Sequence, residues 1–105
     1  MANLGLLLHC KKQNVKAALV DENNYIFLVE SGTVLKKTEQ FGKYVSFFPL
    51  GGEVKGLTLQ GFKYPLRDFH LKVSDAGLTV SNEIEAEEAC VTYEEGELLM
   101  MMTRD

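Results

Sequence analysis

Short runs of apolar, aromatic and β-branched residues recur along most of the chain and are separated by turn-forming residues. In the run 68–74, Phe69, Leu71 and Val73 share one face of a strand because side chains alternate along it. Such short, regularly interrupted strands are typical of all-β domains. We therefore expect residues 1–105 to form one globular domain, all-β and mainly antiparallel, as a small sandwich, a jelly roll or a barrel.

Three glycine-containing turns follow strand-like runs, at 31–32, 75–77 and 94–96. Glycine adopts the left-handed conformation that tight hairpin loops require. These turns predict hairpins between consecutive strands, and hence a meander of antiparallel strands.

The segment 82–89, with the sequence NEIEAEEA, fits two secondary structures. Asn82 followed three residues later by Glu85 has the spacing of a helix capping box, and Ala and Glu favour helix. Strict alternation over 83–87 would equally suit a strand. We expect one short helix near 83–89 and keep the strand as the alternative.

The chain length and the cysteine content constrain the compartment. A chain of 105 residues can bury a hydrophobic core without disulfides or metals. Two cysteines, Cys10 and Cys90, are too few for a disulfide scaffold, and no apolar run approaches the roughly 20 residues of a membrane span. We expect a cytoplasmic, reducing location and no contact with a membrane.

Negative charge is concentrated in the second half of the chain. Residues 51–105 carry eleven acidic and five basic side chains, whereas residues 1–50 carry four and six. Phosphate backbones repel such a surface, so nucleic-acid binding is disfavoured. The sequence predicts a protein partner with basic character, bound through five glutamates: Glu83, Glu87, Glu88, Glu94 and Glu95.

One stretch of the chain resembles a known family. The segments 17–32 and 43–56, the second ending in FFPLGGEVKG, look like the approach to a Nudix box, which implies a hydrolase with a metal-binding helix after the glycines. Counted from Gly51, the required Glu and Arg positions fall on Leu57 and Pro65, which cannot bind a metal. A Nudix-like hydrolase therefore stays only a second alternative.

No other constellation predicts catalysis or metal binding. The two histidines and two cysteines lack the close pairwise spacing of zinc ligands. Nucleophile-elbow, P-loop and dinucleotide-binding motifs are also missing from the sequence. We expect no cofactor, no metal ion and no catalytic residue.

The run LLMMM, residues 98–102, is apolar on both faces of a predicted strand. A small domain has little room to cover both faces, and methionine adapts well to protein interfaces. The run therefore predicts a homo-oligomer interface formed by Leu98, Met100 and Met102, and a central core strand is the alternative.

These patterns favour a non-enzymatic protein-interaction module: a small accessory, assembly or inhibitor protein that self-associates. The first alternative is a small-molecule-binding β domain, since such a pocket needs no sequence motif. The aromatic and basic residues proposed to line that pocket are Tyr44, Phe48, Tyr64 and Arg67.

Overall fold

The computed structural model describes residues 4–13, 16–75 and 77–104. Among these residues, eight strands form two four-stranded antiparallel sheets, preceded by one α-helix. The elements in chain order are α1 Leu4–Lys12, β1 Ala18–Val20, β2 Asn24–Val29, β3 Thr33–Lys36, β4 Tyr44–Pro49, β5 Val54–Gln60, β6 Leu66–Leu71, β7 Glu88–Thr92 and β8 Leu98–Thr103. Short 3₁₀ turns follow β3 and β6, at Lys37–Glu39 and Val73–Asp75.

The two sheets have the strand orders β1-β2-β8-β4 and β3-β7-β5-β6. In the first sheet, β8 lies between β2 and β4, so that Met100 is opposite both Phe27 and Phe47. In the second sheet, β7 lies between β3 and β5, and Val91 is opposite both Thr33 and Leu59. Each sheet therefore has one interior strand, β8 or β7, that the chain reaches only after the other strands of that sheet are complete.

The main core lies between the two sheets and takes residues from every strand except β1. Val45, Phe47 and Met100 come from the first sheet, and Leu57 and Val91 from the second; all five are fully buried. Burying a side chain of this size contributes about 1.5–3 kcal/mol. The alternation of side chains along the strands thus determines which face of each sheet is buried.

A smaller apolar cluster lies on the opposite face of the first sheet, where helix α1 covers part of it. Leu7 of the helix packs with Ile26 and Leu99. Lys11 of the helix forms an ion pair with Glu97. Burial is the largest single influence and lowers the pKa of Lys11, but the hydrogen bond with Glu97 and the negative charges of Tyr93, Glu97 and Glu30 together outweigh it, so the pKa is raised overall. No helix in the described ranges is long and apolar enough to cross a membrane.

The predicted all-β, mainly antiparallel fold is confirmed, and the architecture is a sandwich. The location predicted for the helix is wrong. The α-helix of the described residues is α1, and 83–89 is extended, with Ile84 bridged to Phe62 and β7 beginning at Glu88. Pairing with strands on either side outweighs the helix propensity of Ala and Glu.

The three predicted hairpins are also wrong. Strands β2 and β3, on either side of turn 31–32, belong to different sheets, and so do β7 and β8 around turn 94–96. The turn 75–77, of which Ala76 lies outside the described residues, leads from β6 to a segment that pairs with β4. Among the described residues, the consecutive strands that pair as hairpins are β1 with β2 and β5 with β6.

The glycine pair Gly51-Gly52 lies between β4 and β5, at a crossing from one sheet to the other. In the Nudix arrangement, a helix would follow these glycines. Here the strand β5 follows them, and its residues Leu57 and Leu59 are buried in the core. The structure therefore contains a strand where a Nudix metal site would need a helix.

Candidate functional site

One stretch of seven residues, 79–85, is hydrogen-bonded to β4 of the first sheet and to the loop 61–65 that follows β5 of the second, and we call it the closing segment. The backbone of Asn82 exchanges two hydrogen bonds of 2.8 Å with Val45 of β4. One residue later, the carbonyl of Glu83 accepts a 2.8 Å hydrogen bond from the N–H of Lys63, which follows β5. The closing segment therefore covers one side of the sandwich and joins its two layers.

Asn82 lies where the closing segment passes from one sheet to the other, and it is 3% exposed. Its Oδ1 accepts hydrogen bonds from the N–H of Tyr64 and the N–H of Glu83, both at 2.9 Å. Its Nδ2 donates to the carbonyl of Tyr64 at 2.8 Å. A buried amide whose hydrogen bonds are satisfied in this way rigidifies its surroundings, so Asn82 determines the position of Tyr64.

Ser81 has a φ of 55°, in the left-handed region that non-glycine residues rarely adopt. Thr79 and Asn82 are three residues apart, yet they pair with Phe47 and Val45, which are two apart. The closing segment thus contains one extra residue, as in a β-bulge, and Ser81 absorbs it. Such a conformation costs on the order of 1–3 kcal/mol and is found preferentially at functional sites.

Two buried hydroxyl groups hold this bulge in place. The Oγ of Ser46 accepts a 3.0 Å hydrogen bond from the N–H of Ser81, and the Oγ1 of Thr79 donates to the carbonyl of Phe47 at 2.5 Å. Ser81 itself is exposed, and its hydroxyl has no hydrogen-bond partner among the described residues. The bulge therefore presents a hydroxyl group that remains available to a ligand.

Tyr64 is an aromatic side chain that is 56% exposed. The Nζ of Lys63 lies 5.5 Å from the centre of its ring and 3.7 Å from the Oε2 of Glu83. Tyr64 and Glu83, in that order, raise the pKa of Lys63. An aromatic ring and a carboxylate close to one another form an environment that stabilises positive charge.

Together, the closing segment and the preceding loop 61–65 present an aromatic ring, a carboxylate and a free hydroxyl, all on a hydrogen-bonded frame. These groups suit a small heteroaromatic ligand with a positive charge. The described residues contain no group of three or more His, Cys, Asp or Glu side chains placed to hold a metal ion.

Two concave regions lie elsewhere on the surface. A groove of about 910 Å³ runs over β5, β6 and β7 and is bordered by Gly61 and Pro65, so it adjoins the loop that carries Tyr64. A second cavity, of about 610 Å³, lies between α1 and β2 and is lined by Leu7 and Phe27 among others. Both are large enough for a small molecule.

The four residues predicted to line a ligand pocket do not meet in either concave region. Arg67 lines the groove beside β6. Phe48 packs in the small cluster beneath α1, and Tyr44 begins β4 with its ring 5.6 Å from the Nζ of Lys43. Of the four, Tyr64 is the one that belongs to the site around Asn82.

The five glutamates predicted to bind a basic partner are spread over the closing segment, β7 and the turn before β8. Two of them form ion pairs within the chain: Glu83 with Lys63, and Glu95 with Lys55 at 3.6 Å. The other three lie on or beside β7 and are exposed: Glu87, Glu88 and Glu94. Binding of a basic partner through these glutamates stays a prediction.

The residues predicted to form an oligomer interface belong to the core of the protomer. Leu98, Met100 and Met102 lie on the central strand β8 and are buried against the second sheet. Their side chains therefore do not offer an apolar surface to a second copy. Apolar residues occur on both faces of β8 because the core covers one face and the cluster beneath α1 covers the other.

Sequence reasoning did not identify Ser46, Lys63, Thr79, Ser81 or Asn82 as parts of a site. The spacing of Asn82 and Glu85 instead predicts a helix cap, with a strand as the alternative. The available signal was the dipeptide Ser81-Asn82 at the end of an apolar run, because Asn tolerates unusual backbone geometry and often marks bulges and turns.

Comparison with known proteins places this chain in a family. Residues 32–98 match the model of the family described as thiamin pyrophosphokinase, vitamin B1 binding domain. The thiamine pyrophosphokinase of Bacillus subtilis (strain 168) is 31% identical to this chain over 105 residues, which is 100% of the chain and 49% of that protein.

Solved structures show the same relationship. The crystal structure of thiamine pyrophosphokinase from Bacillus subtilis superimposes with a TM-score of 0.89 at 34% identity and covers 98% of this chain and 48% of its own. The enzyme from Geobacillus thermodenitrificans gives a TM-score of 0.82 at 30% identity, with 98% and 46% coverage. The chain thus spans about half the length of these proteins.

These matches overturn the main functional prediction made from the sequence. A protein-interaction module is wrong, since the matched family is described by the vitamin that its domain binds. The alternative of a small-molecule-binding β domain agrees with the family. The match covers well over half of the chain, including the whole closing segment. The chain therefore belongs to the thiamin pyrophosphokinase vitamin B1 binding domain family.

Proposed function

We propose that this chain binds thiamin at the closing segment and presents it for pyrophosphate transfer. One observation carries the proposal: the family match over residues 32–98 contains every element of the site, from Ser46 through Lys63 and Tyr64 to Glu83. The site combines a buried amide, a strained backbone and hydrogen bonds from three parts of the chain. Its residue types also suit the chemistry of the vitamin.

Thiamin combines an aminopyrimidine ring with a thiazolium ring that carries a permanent positive charge. The exposed ring of Tyr64 offers a face on which a heteroaromatic ring can stack, and such stacking contributes about 0.5–1.5 kcal/mol beyond burial. Glu83 supplies the negative charge that compensates the thiazolium. The proposal assigns Tyr64 to stacking and Glu83 to charge recognition.

The aminopyrimidine ring has both donor and acceptor atoms on its edge. The hydroxyl of Ser81 can donate one hydrogen bond and accept others, and no described residue forms a hydrogen bond with it. The bulge holds the backbone of Ser81 in place, because the N–H of Ser81 donates a hydrogen bond to the Oγ of Ser46. The proposal assigns Ser81 to recognition of the pyrimidine edge.

The relatives carry the name thiamine pyrophosphokinase, and we extend the proposal to that activity. The part assigned to this chain is to hold thiamin so that the hydroxyl of its side arm stays accessible to a pyrophosphoryl donor. A rigid frame favours this role, since positioning of an acceptor lowers the barrier to group transfer. Asn82 supplies that rigidity by fixing Tyr64.

Isothermal titration calorimetry of the chain with thiamin tests the proposal. Wild type binds thiamin, and both Tyr64→Ala and Glu83→Gln weaken the affinity by roughly five-fold or more. Two matched variants outside the site, Val34→Ala and Glu95→Gln, leave the affinity unchanged. Absence of binding by the wild-type chain, checked by NMR perturbation of Tyr64, would contradict the proposal.

An intracellular, reducing location is also part of the proposal. Cys10 and Cys90, the two cysteines, are both free thiols in the structure. A domain that acts on a metabolite inside the cell needs no disulfide. Fractionation of cells that express the tagged chain would test this location, with recovery outside the cytoplasmic fraction as the contrary result.

A further inference from the structure

We infer that Lys63 is an internal occupant of the cation subsite formed by Tyr64 and Glu83, and that it leaves this subsite when thiamin binds. The inference rests on the proposed function and adds a residue that sets affinity without contacting the bound vitamin. In the free protein, the Nζ of Lys63 is 5.5 Å from the ring centre of Tyr64 and 3.7 Å from the Oε2 of Glu83.

The carboxylate of Glu83 is partly withdrawn from water. Its side chain is 25% exposed, whereas the side chain of Glu95, in the comparable pair with Lys55, is 70% exposed. A carboxylate that has lost part of its hydration needs a nearby positive charge. Glu83 therefore attracts a cation in every state of the protein, and in the free state that cation is Lys63.

The subsite has room for one cation, because it consists of one ring and one carboxylate. Asn82 holds the backbone N–H and carbonyl of Tyr64, so the point at which the ring is attached stays in place when the lysine moves. The side chain of Lys63 is 49% exposed and has a flexible stem of four carbons, so its ammonium group can move into the solvent. Lys63 is thus the component that moves, and the observed affinity for thiamin is the intrinsic affinity reduced by this competition.

The chain provides two controls that separate the parts of the subsite. Lys43 lies 5.6 Å from the ring centre of Tyr44 but forms no ion pair with any described carboxylate. Lys55 pairs with Glu95 at 3.6 Å but stacks on no described ring. Replacing either lysine removes one positive charge without freeing a site that combines a ring and a carboxylate.

The test compares Lys63→Gln, Lys43→Gln and Lys55→Gln with wild type by calorimetry with thiamin at low ionic strength. Lys63→Gln binds thiamin roughly two- to five-fold more tightly than either control variant, since the internal cation is gone. Equal or weaker binding by Lys63→Gln, while wild type binds, overturns the inference and leaves the proposed function intact.

A second measurement separates the inference from the proposed function. Tetramethylammonium, a permanent cation without the features of thiamin, is titrated while the ring resonances of Tyr64 are followed by NMR. They shift at lower concentration in Lys63→Gln than in wild type or in Lys43→Gln. If they shift as expected but no protein binds thiamin, the proposed function fails and the cation subsite stands. If they do not shift in Lys63→Gln, the subsite is refuted.

Discussion

The side-chain amide of Asn82 binds both backbone polar groups of Tyr64, accepting from its N–H at 2.9 Å and donating to its carbonyl at 2.8 Å. The two residues lie on segments that are separated by 18 positions in the sequence. This pairing links the most exposed aromatic ring of the site to one of the most buried polar side chains. It couples the stability of the sandwich to the geometry of the site.

Replacing Asn82 with Ala should therefore affect both stability and binding. The variant leaves the backbone groups of Tyr64 without their partner and creates a small cavity, which costs about 2 kcal/mol. Chemical denaturation measures this loss, and calorimetry at a temperature where the variant is folded should show weakened thiamin binding. The control is Asn23→Ala in the β1–β2 turn, an exposed position expected to change neither quantity. A variant as stable as that control would refute the role assigned to Asn82.

Variants of Ser81 should distinguish its effect on backbone strain from its effect on thiamin binding. Glycine adopts the left-handed conformation freely, so Ser81→Gly should keep stability within about 1 kcal/mol of wild type while thiamin binding weakens. Ser81→Val places a β-branched side chain at the same φ and should cost more than about 1 kcal/mol. Asp68, with a φ of 46°, is the matched control, since Asp68→Gly relieves similar strain outside the site. Full binding by Ser81→Gly would remove the hydroxyl from the recognition scheme.

Gly61 should be intolerant of any side chain. Its φ is 82°, and a Cβ atom there would lie 2.4 Å from the carbonyl oxygen of Glu88. Gly51 has a similar φ of 74° but open space around it. Both Ala variants incur the backbone strain, and only Gly61→Ala incurs the clash, so its free energy of unfolding should fall by about 2 kcal/mol more than that of Gly51→Ala. Equal losses in the two variants would show that the contact with Glu88 relaxes freely.

The hairpin between β1 and β2 should contribute a pH-dependent term to stability. The Oδ1 of Asp21 accepts 2.8 Å hydrogen bonds from the N–H groups of Asn23 and Asn24, and these bonds lower the pKa of the carboxyl below its usual 3.8. A lowered pKa in the folded state means that the stabilisation is present above the unfolded-state pKa and is lost as pH falls through the folded value. NMR titration of the carboxyl and acid denaturation measure this term. The stability of Asp21→Asn should fall less steeply as pH decreases than that of Glu22→Gln. Identical pH dependences of stability in the two variants would contradict the role assigned to Asp21.

The sequence predicted part of the strand content. The alternating run 68–74 falls on β6 as far as Leu71, which is buried, but Val73 lies in a 3₁₀ turn and is 67% exposed, and the apolar run 98–102 lies on β8. The hairpins failed because a turn motif determines that the chain reverses, not which sheet the next strand joins. Gly32, for example, follows a strand of one sheet and precedes a strand of the other.

The helix prediction failed for a related reason. Propensity is a local quantity of a few tenths of a kcal/mol per residue, and the segment 82–89 is rich in Glu and Ala. In the fold, its backbone groups find partners on Val45 and on the loop 61–65, and these pairings are not encoded within the segment. Helix α1 was missed in turn because its apolar residues follow one another without a clear helical spacing.

Most residues of the candidate site could not be predicted from the sequence. It combines a hydroxyl from β4, a lysine and a tyrosine from one loop, and a serine and two polar residues from the closing segment. No spacing in the sequence connects these three regions. Tyr64 was identified as a ligand-pocket candidate because it is aromatic, but its partners depend on which strands lie side by side.

The closing segment joins the two layers of the sandwich, and the proposed vitamin site is formed by the same residues. A substitution at one of these seven positions must therefore be compatible both with folding and with ligand binding. A library of variants selected only for stable expression should already be depleted of changes at Thr79 and Asn82. Ser81, whose side chain is exposed, should vary only among residues that tolerate its φ of 55°, such as Gly and Asn, and these changes should disappear once thiamin binding is selected as well.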